Sequence, residues 1–266
     1  MRQYSRWTVL IVLLAFVIAL QAQAQAPAAK PPAVKKIQVL IVSGQNGHDW
    51  RACTPYLREV LEETGKFEVR VTEEFRGATA ATLAPYDVVV LNYSDWRRKP
   101  PLRWGEATDQ ALLDYVKSGK GLVMYHFSAS AFEGWEEYDK LVGLTWRTDR
   151  GGHSKRHDFK VDIKDKDHPI TKGLDDSYPQ QSDELYANLI AQPDIHVLAT
   201  AWDDPALDRG SGKHQPMLYV KSYGTGRVFG TALGHDVPAM KSEVFRRTLV
   251  RGTEWAATGS VTLPPK

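Results

Sequence analysis

Five histidines, His48, His126, His153, His157 and His235, fall in short polar clusters where their imidazoles can share a site. Imidazole titrates near neutral pH and is the commonest protein ligand for zinc, so such a set suits acid/base work or metal binding. His48 lies in Gly44-Gln45-Asn46-Gly47-His48-Asp49-Trp50, and His126 opens His126-Phe127-Ser128. Gly151-Gly152-His153-Ser154-Lys155-Arg156-His157 puts two imidazoles four residues apart beside glycines, and Gly234-His235-Asp236 forms a further cluster. Asp236, and Glu184 in Asp183-Glu184-Leu185-Tyr186, can ligate a metal or hold a histidine tautomer. We take His48, His126, His153, His235, Asp236 and Glu184 as candidate catalytic groups. His48, His153 and His235 are the candidate ligands for a divalent metal, with zinc the expected ion. Trp50, Asn92, Trp96 and His157 are candidate substrate contacts, the tryptophans as platforms for a sugar ring. One H-x-x-x-H spacing is also what surface histidines show; the number of separate clusters argues for a site.

These residues need elements to hold them. Residues 37–42 are a nearly unbroken apolar run, the pattern of a strand buried on both faces of a parallel sheet. The spacing predicts a helix over 51–63, strands over 67–71 and 86–91, a helix over 108–117 and a strand over 121–127. That alternation argues for crossovers and an α/β, doubly wound, mostly parallel sheet. Ligands of such sheets bind beyond the carboxyl ends of the strands, where His48, Asn92, Trp96 and His126 fall. Asp49 and Asp95 are candidate helix caps. The second half reads as β-rich, with strands over 157–163, 197–201, 217–223 and 227–231. Tyr223-Gly224-Thr225-Gly226 joins the last two as a hairpin. An amphipathic helix over 242–255 closes the chain.

Bulk properties exclude several classes. The 34 Lys+Arg nearly balance 32 Asp+Glu, so no basic face argues for nucleic acid. The single cysteine, Cys53, forbids an intrachain disulfide, and it lies on a helix, away from the turn where a nucleophile would sit. A G-x-S-x-G elbow, a Walker A loop and a G-x-G-x-x-G after the first strand are all missing, which counts against a serine hydrolase, an NTPase and a dinucleotide enzyme. Arg2 and Arg6 precede an apolar run over 7–20, too short to span a bilayer comfortably, and then alternating small residues up to Ala26. Residues 1–26 therefore read as a signal peptide cut after Ala24 or Ala26, with an uncleaved anchor as the alternative. Residues 27–36 are a Pro/Ala/Lys linker and 37–258 the folded domain. The expectation is an exported protein, periplasmic or extracellular, with no stable membrane anchor.

Gly47-His48, Gly152-His153, His168-Pro169-Ile170-Thr171-Lys172-Gly173-Leu174, Asp183-Glu184-Leu185-Tyr186, Gly224-Thr225-Gly226-Arg227-Val228-Phe229 and Gly234-His235 occur in that order. Together they resemble the ThuA-like (trehalose utilisation) family from about residue 37 to residue 257. The resemblance implies a class I glutamine-amidotransferase-like, flavodoxin-like fold and a small-molecule carbohydrate as ligand. Amidotransferases carry a nucleophilic cysteine at the tight turn after a central strand. Here the aligned position is His126, so thiolate chemistry is excluded. Two functions stay open. The favoured one is an enzyme of carbohydrate metabolism, a hydrolase, lyase or isomerase acting on a sugar or keto-sugar by His-based or metal-assisted chemistry. The other is a non-catalytic carbohydrate-binding protein with a degenerate amidotransferase-type site, stacking sugars on Trp50, Trp96 or Trp135. A homo-oligomer is compatible with either.

Overall fold

The computed structural model describes residues 35–98 and 103–265, so the expected leader and the linker up to residue 34 lie outside the described residues. The first half builds the parallel sheet that the apolar runs predict. It comprises β1 (Ile37–Val42), α1 (Trp50–Glu62), β2 (Phe67–Thr72), α2 (Ala80–Leu83), β3 (Val88–Leu91), α3 (Glu106–Lys117) and β4 (Gly121–Tyr125). A 3-10 turn (His126–Ser130), α4 (Glu136–Val142) and the short β5 (Leu144–Thr145) follow. The second half contributes β6 (His157–Ile163), β7 (Ser177–Asp183), β8 (Ile190–Ala191), β9 (His196–Asp203), β10 (Lys213–Tyr223), β11 (Gly226–Thr231), α5 (Val237–Met240) and α6 (Glu243–Thr258). Among the described residues, no helix is long and apolar enough to cross a membrane.

Nine strands form one sheet in the order β2-β1-β3-β4-β11-β10-β9-β6-β7. From β2 to β11 the neighbours are parallel; from β11 outward every pairing is antiparallel. Alternate side chains of β1 feed opposite layers. Val39 and Ile41 pack with Leu57 and Phe245 on one face, and Leu40 and Val42 with Leu112 and Leu122 on the other. Two-sided burial is why these strands lack a polar alternation.

The topology also fixes which loops meet. The carboxyl ends of β1, β3, β4 and β11 share one edge. Counting the antiparallel steps outward, β7 ends on that same edge. Three strands separate β7 from β11 in the sheet, yet Asp183 at the end of β7 accepts a hydrogen bond from Gly234 N at 2.8 Å. The antiparallel extension therefore curls back over the parallel half, and β7 comes against α5 and α6.

The 3-10 turn, α2, α4, α5, β5, β7 and β8 were not expected from the sequence. The β7 segment Ser-Tyr-Pro-Gln-Gln-Ser-Asp has almost no apolar alternation, and Pro179 is tolerated because β7 is an edge strand. The helices α2 and α4 are too short to show a period. The predicted strand over 121–127 stops at Tyr125, where the chain turns sharply at His126.

Candidate active site

His126 leaves the central strand β4 with φ of 40°, the left-handed region that side chains other than glycine seldom occupy. This sharp strand-to-helix turn drives the imidazole up at the carboxyl edge, where it is 1% exposed. Its Nδ1 lies 2.7 Å from the Ala232 carbonyl, so Nδ1–H donates there and the Nε2 lone pair faces into the site.

The other groups arrive on loops of the same edge. His48 follows β1, its backbone N–H donating to Asn46 Oδ1 at 2.7 Å. Asn46 Nδ2 in turn donates to Asn92 Oδ1 at 2.8 Å, and Asn92 Nδ2 to Thr54 Oγ1 at 2.9 Å. Gly44 enters this loop at φ of 98° with its backbone pressed on Glu73, leaving no room for a Cβ. His235 follows β11. Asp183, fully buried, holds that loop: Oδ2 accepts from Gly234 N and from Gln180 Nε2 at 2.6 Å, and Oδ1 accepts from His235 N and Glu184 N at 2.9 Å each. One carboxylate thus fixes the backbone of both the last histidine and the only carboxylate of the cluster.

One nitrogen each from His48, His126 and His235 and one Glu184 oxygen lie within 4.8 Å of one another. Glu184 Oε2 is 3.1 Å from His235 Nδ1, 3.6 Å from His126 Nε2 and 3.7 Å from His48 Nε2. Yet Glu184 Oε2, His126 Nε2 and His235 Nδ1 are buried with no hydrogen-bond partner among the described residues. Converging lone pairs with no proton aimed between them fit a cation, and three nitrogens with one oxygen are a zinc-type donor set. Burial, then the imidazoles of His126 and His235, push the His48 pKa down to about 2 and keep its ring neutral. Burial alone would raise the Glu184 carboxyl. The close approach of the His126 and His235 imidazoles outweighs it and holds the carboxyl well below the usual range.

His153 stands at the rim, its Nε2 3.5 Å from Glu184 Oε1 and its Nδ1 2.7 Å from the Ser154 carbonyl. Side-chain exposure runs from 1% at His126 to 31% at His153, so His153 is the imidazole most open to an incoming ligand. Two aromatic residues missed in the sequence complete the walls. Tyr186 stacks on His126 at 4.3 Å between ring centroids, and Trp146 lies 5.0 Å from Tyr186 and 5.7 Å from His153. The signal for Tyr186 was its place beside Glu184 in the Asp-Glu-Leu-Tyr run.

The structure thus gathers His48, His126, His153, His235 and Glu184, but the metal-type group takes His126 where the sequence pointed to His153. Several other candidates lie outside that group. Asp236 caps α5 through Ala239 N and pairs with Arg156 at 2.6 Å. His157 turns to the Lys155 carbonyl, 2.9 Å from its Nδ1, and packs on Phe159. Asn92 spends its amide on the loop network that sets His48. Trp50 is buried at the start of α1 under the Arg51 guanidinium. Trp96 is half-buried in a cleft beyond Trp146. Asp49 does cap α1, whereas Asp95 accepts from Phe132 N at 2.7 Å instead of capping a helix. Burial lifts the Cys53 thiol pKa to about 11, which leaves it inert.

A family model described as ThuA, trehalose utilisation, matches residues 38–256. Among solved structures, a ThuA-like protein from Parabacteroides merdae ATCC 43184 is 32% identical with a TM-score of 0.77, covering 86% of this chain and 93% of its own. A ThuA-like protein from Bacteroides uniformis ATCC 8492 is 17% identical at a TM-score of 0.68, covering 89% and 97%. A GMP synthase subunit from Thermoplasma acidophilum shares the fold at 10% identity and a TM-score of 0.52, covering 85% and 96%. Comparison with curated proteins finds no significant match.

Proposed function

Because this chain belongs to the ThuA, trehalose utilisation family, we propose that it acts on a sugar or keto-sugar at a divalent metal centre built from His48, His126, Glu184 and His235. The observation that carries this reading is the set of partnerless lone pairs converging at Glu184. Zinc is the ion the donor set suits best. When bound, it would supply Lewis-acid polarisation of a substrate oxygen. His153 is the acid/base group. Its Nδ1–H is fixed on a backbone carbonyl, so Nε2 is free to take a proton from a substrate hydroxyl or from carbon beside a carbonyl, and to return it. Tyr186 and Trp146 exclude water from the inner wall and give a sugar ring apolar surface. The basic, apolar and small-residue pattern of residues 1–26 supports export of the chain and, with it, the proposal that this chemistry takes place outside the cytoplasm.

Elemental analysis of protein purified without chelator is expected to find about one zinc-class ion per chain. His48→Ala and His235→Ala should lose that ion. His153→Ala should keep it while losing turnover of a keto-sugar by about 100-fold or more. A fully folded wild type with no stoichiometric metal, even after incubation with zinc, would overturn the reading.

A further inference from the structure

A cleft of about 610 Å³ is lined by Trp96, Arg97, Arg98, Ser130 and Glu133 among others. Trp146 stands between this cleft and the centre. Trp146 lies 6.3 Å from Trp96 on one side and 5.7 Å from His153 on the other. Ser130 belongs to the same 3-10 turn that begins with His126. That turn also anchors the loop carrying the arginines. Ser130 Oγ lies 2.8 Å from Ser94 Oγ, and Ser94 Oγ accepts from Trp96 N at 3.1 Å. Arg97 is held at φ of 58°, a conformation that persists only when surrounding contacts impose it.

The charges in this cleft are unevenly engaged. Glu133 accepts from Thr148 N and from Thr148 Oγ1 at 2.6 Å each, one bond to each carboxylate oxygen. Asp95 is buried and accepts from Phe132 N. Both guanidinium groups, by contrast, are exposed and have no acidic partner among the described residues. The Arg97 guanidinium carbon lies over the Trp96 ring, 5.5 Å from its centroid, so the cation and the indole form one stacked pair in the wall of the cleft. An indole and two guanidinium groups without acidic partners, lining one cleft, match a sugar that carries an oxyanion: the aromatic wall packs on the sugar, and the anion takes charge-assisted hydrogen bonds.

We propose that this cleft is an oxyanion-reading subsite, binding the part of the substrate that carries a carboxylate or an ester anion while the reacting part lies at the metal centre. The proposal rests on the metal-centre reading for where chemistry occurs, and on the cleft alone for which substrates enter.

The test is calorimetric titration of the whole purified protein with methyl glucuronide, glucose 6-phosphate and neutral methyl glucoside at low salt. At least one anionic sugar should bind about 10-fold or more tighter than the glucoside. Arg97→Ala combined with Arg98→Ala should abolish that advantage, added salt should shrink it, and Trp96→Ala should weaken all three ligands. Preference for the glucuronide assigns a carboxylate, preference for the phosphate assigns an ester anion, and preference for neither overturns the subsite. Retention of the preference by the double arginine variant also overturns it. Metal content measured on the same wild-type sample separates the two readings: an intact preference in a wild type that takes up no metal would sink the centre and leave the subsite standing.

Discussion

His126, 1% exposed, stands at φ of 40°, a backbone state that costs an L side chain about 1–2 kcal/mol and glycine almost nothing. The fold tolerates it because the turn aims Nε2 at Glu184 while Nδ1 is tied to Ala232. His126→Gly and His126→Ala remove the same functional group and differ in that strain. In metal-free urea melts the glycine variant is expected to be the more stable by about 1 kcal/mol, and neither should bind metal. Equal stability, or a more stable alanine variant, would show that the turn is unstrained. His126 was legible because an apolar run ended on it. Glu184 was named from the Asp183-Glu184 pair without a positional argument, since the register of β7, whose polar residues give no period, decides which of the two enters the site. Tyr186 was hidden for another reason: a buried aromatic reads as core, and here it is core and site wall at once.

At the scale of elements, the long closing helix α6 does more than cover the sheet. Glu254, 1% exposed in its side chain, reaches Lys66 at 2.5 Å beside β2 and accepts from Thr262 N, Thr262 Oγ1 and Leu263 N in the C-terminal tail. Burial pushes this carboxyl up, but Lys66 and the tail donors outweigh it, and its pKa falls below the ordinary value. A carboxyl lowered on folding stabilises the protein above its unfolded pKa, and that contribution is lost as pH falls through the folded one. Glu254→Gln is expected to lower stability at pH 7 by about 2 kcal/mol, roughly 5 °C in Tm, and to lose less Tm than wild type on acidification below about pH 4. Thermal melts from pH 7 to pH 3 check both. The main strands and the helices flanking the parallel sheet were readable because two-sided burial and a 3.6-residue period leave marks in sequence. The short helices α2 and α4 and the edge strand β7 owe their form to neighbours, and left none.

For the molecule as a whole, the decisive feature is the curl that carries β7 back to β11. Two donors of the centre, His48 and His126, come from the first half of the chain, and two, Glu184 and His235, from the second half. An ion held by all four binds the folded chain and scarcely the unfolded one, so it acts as a ligand for the native state. Zinc at about 100 times its dissociation constant should add roughly 2.7 kcal/mol, a rise of about 5–10 °C in Tm, and the rise should vanish in His48→Ala. Scanning calorimetry with and without chelator reads it directly; an unchanged wild-type Tm would mean that no ion bridges the halves. The curl could not be foreseen from sequence, because it is set by how an antiparallel extension packs on α5 and α6. It also imposes an order in time. A chain made from its N-terminus exposes His48 and His126 long before Glu184 and His235 exist, and two imidazoles on an unfinished sheet are a poor trap for any cation. All four donors exist only once β11 and the His235 loop after it have been made, so any ion that needs all four can be taken up only by a nearly finished chain.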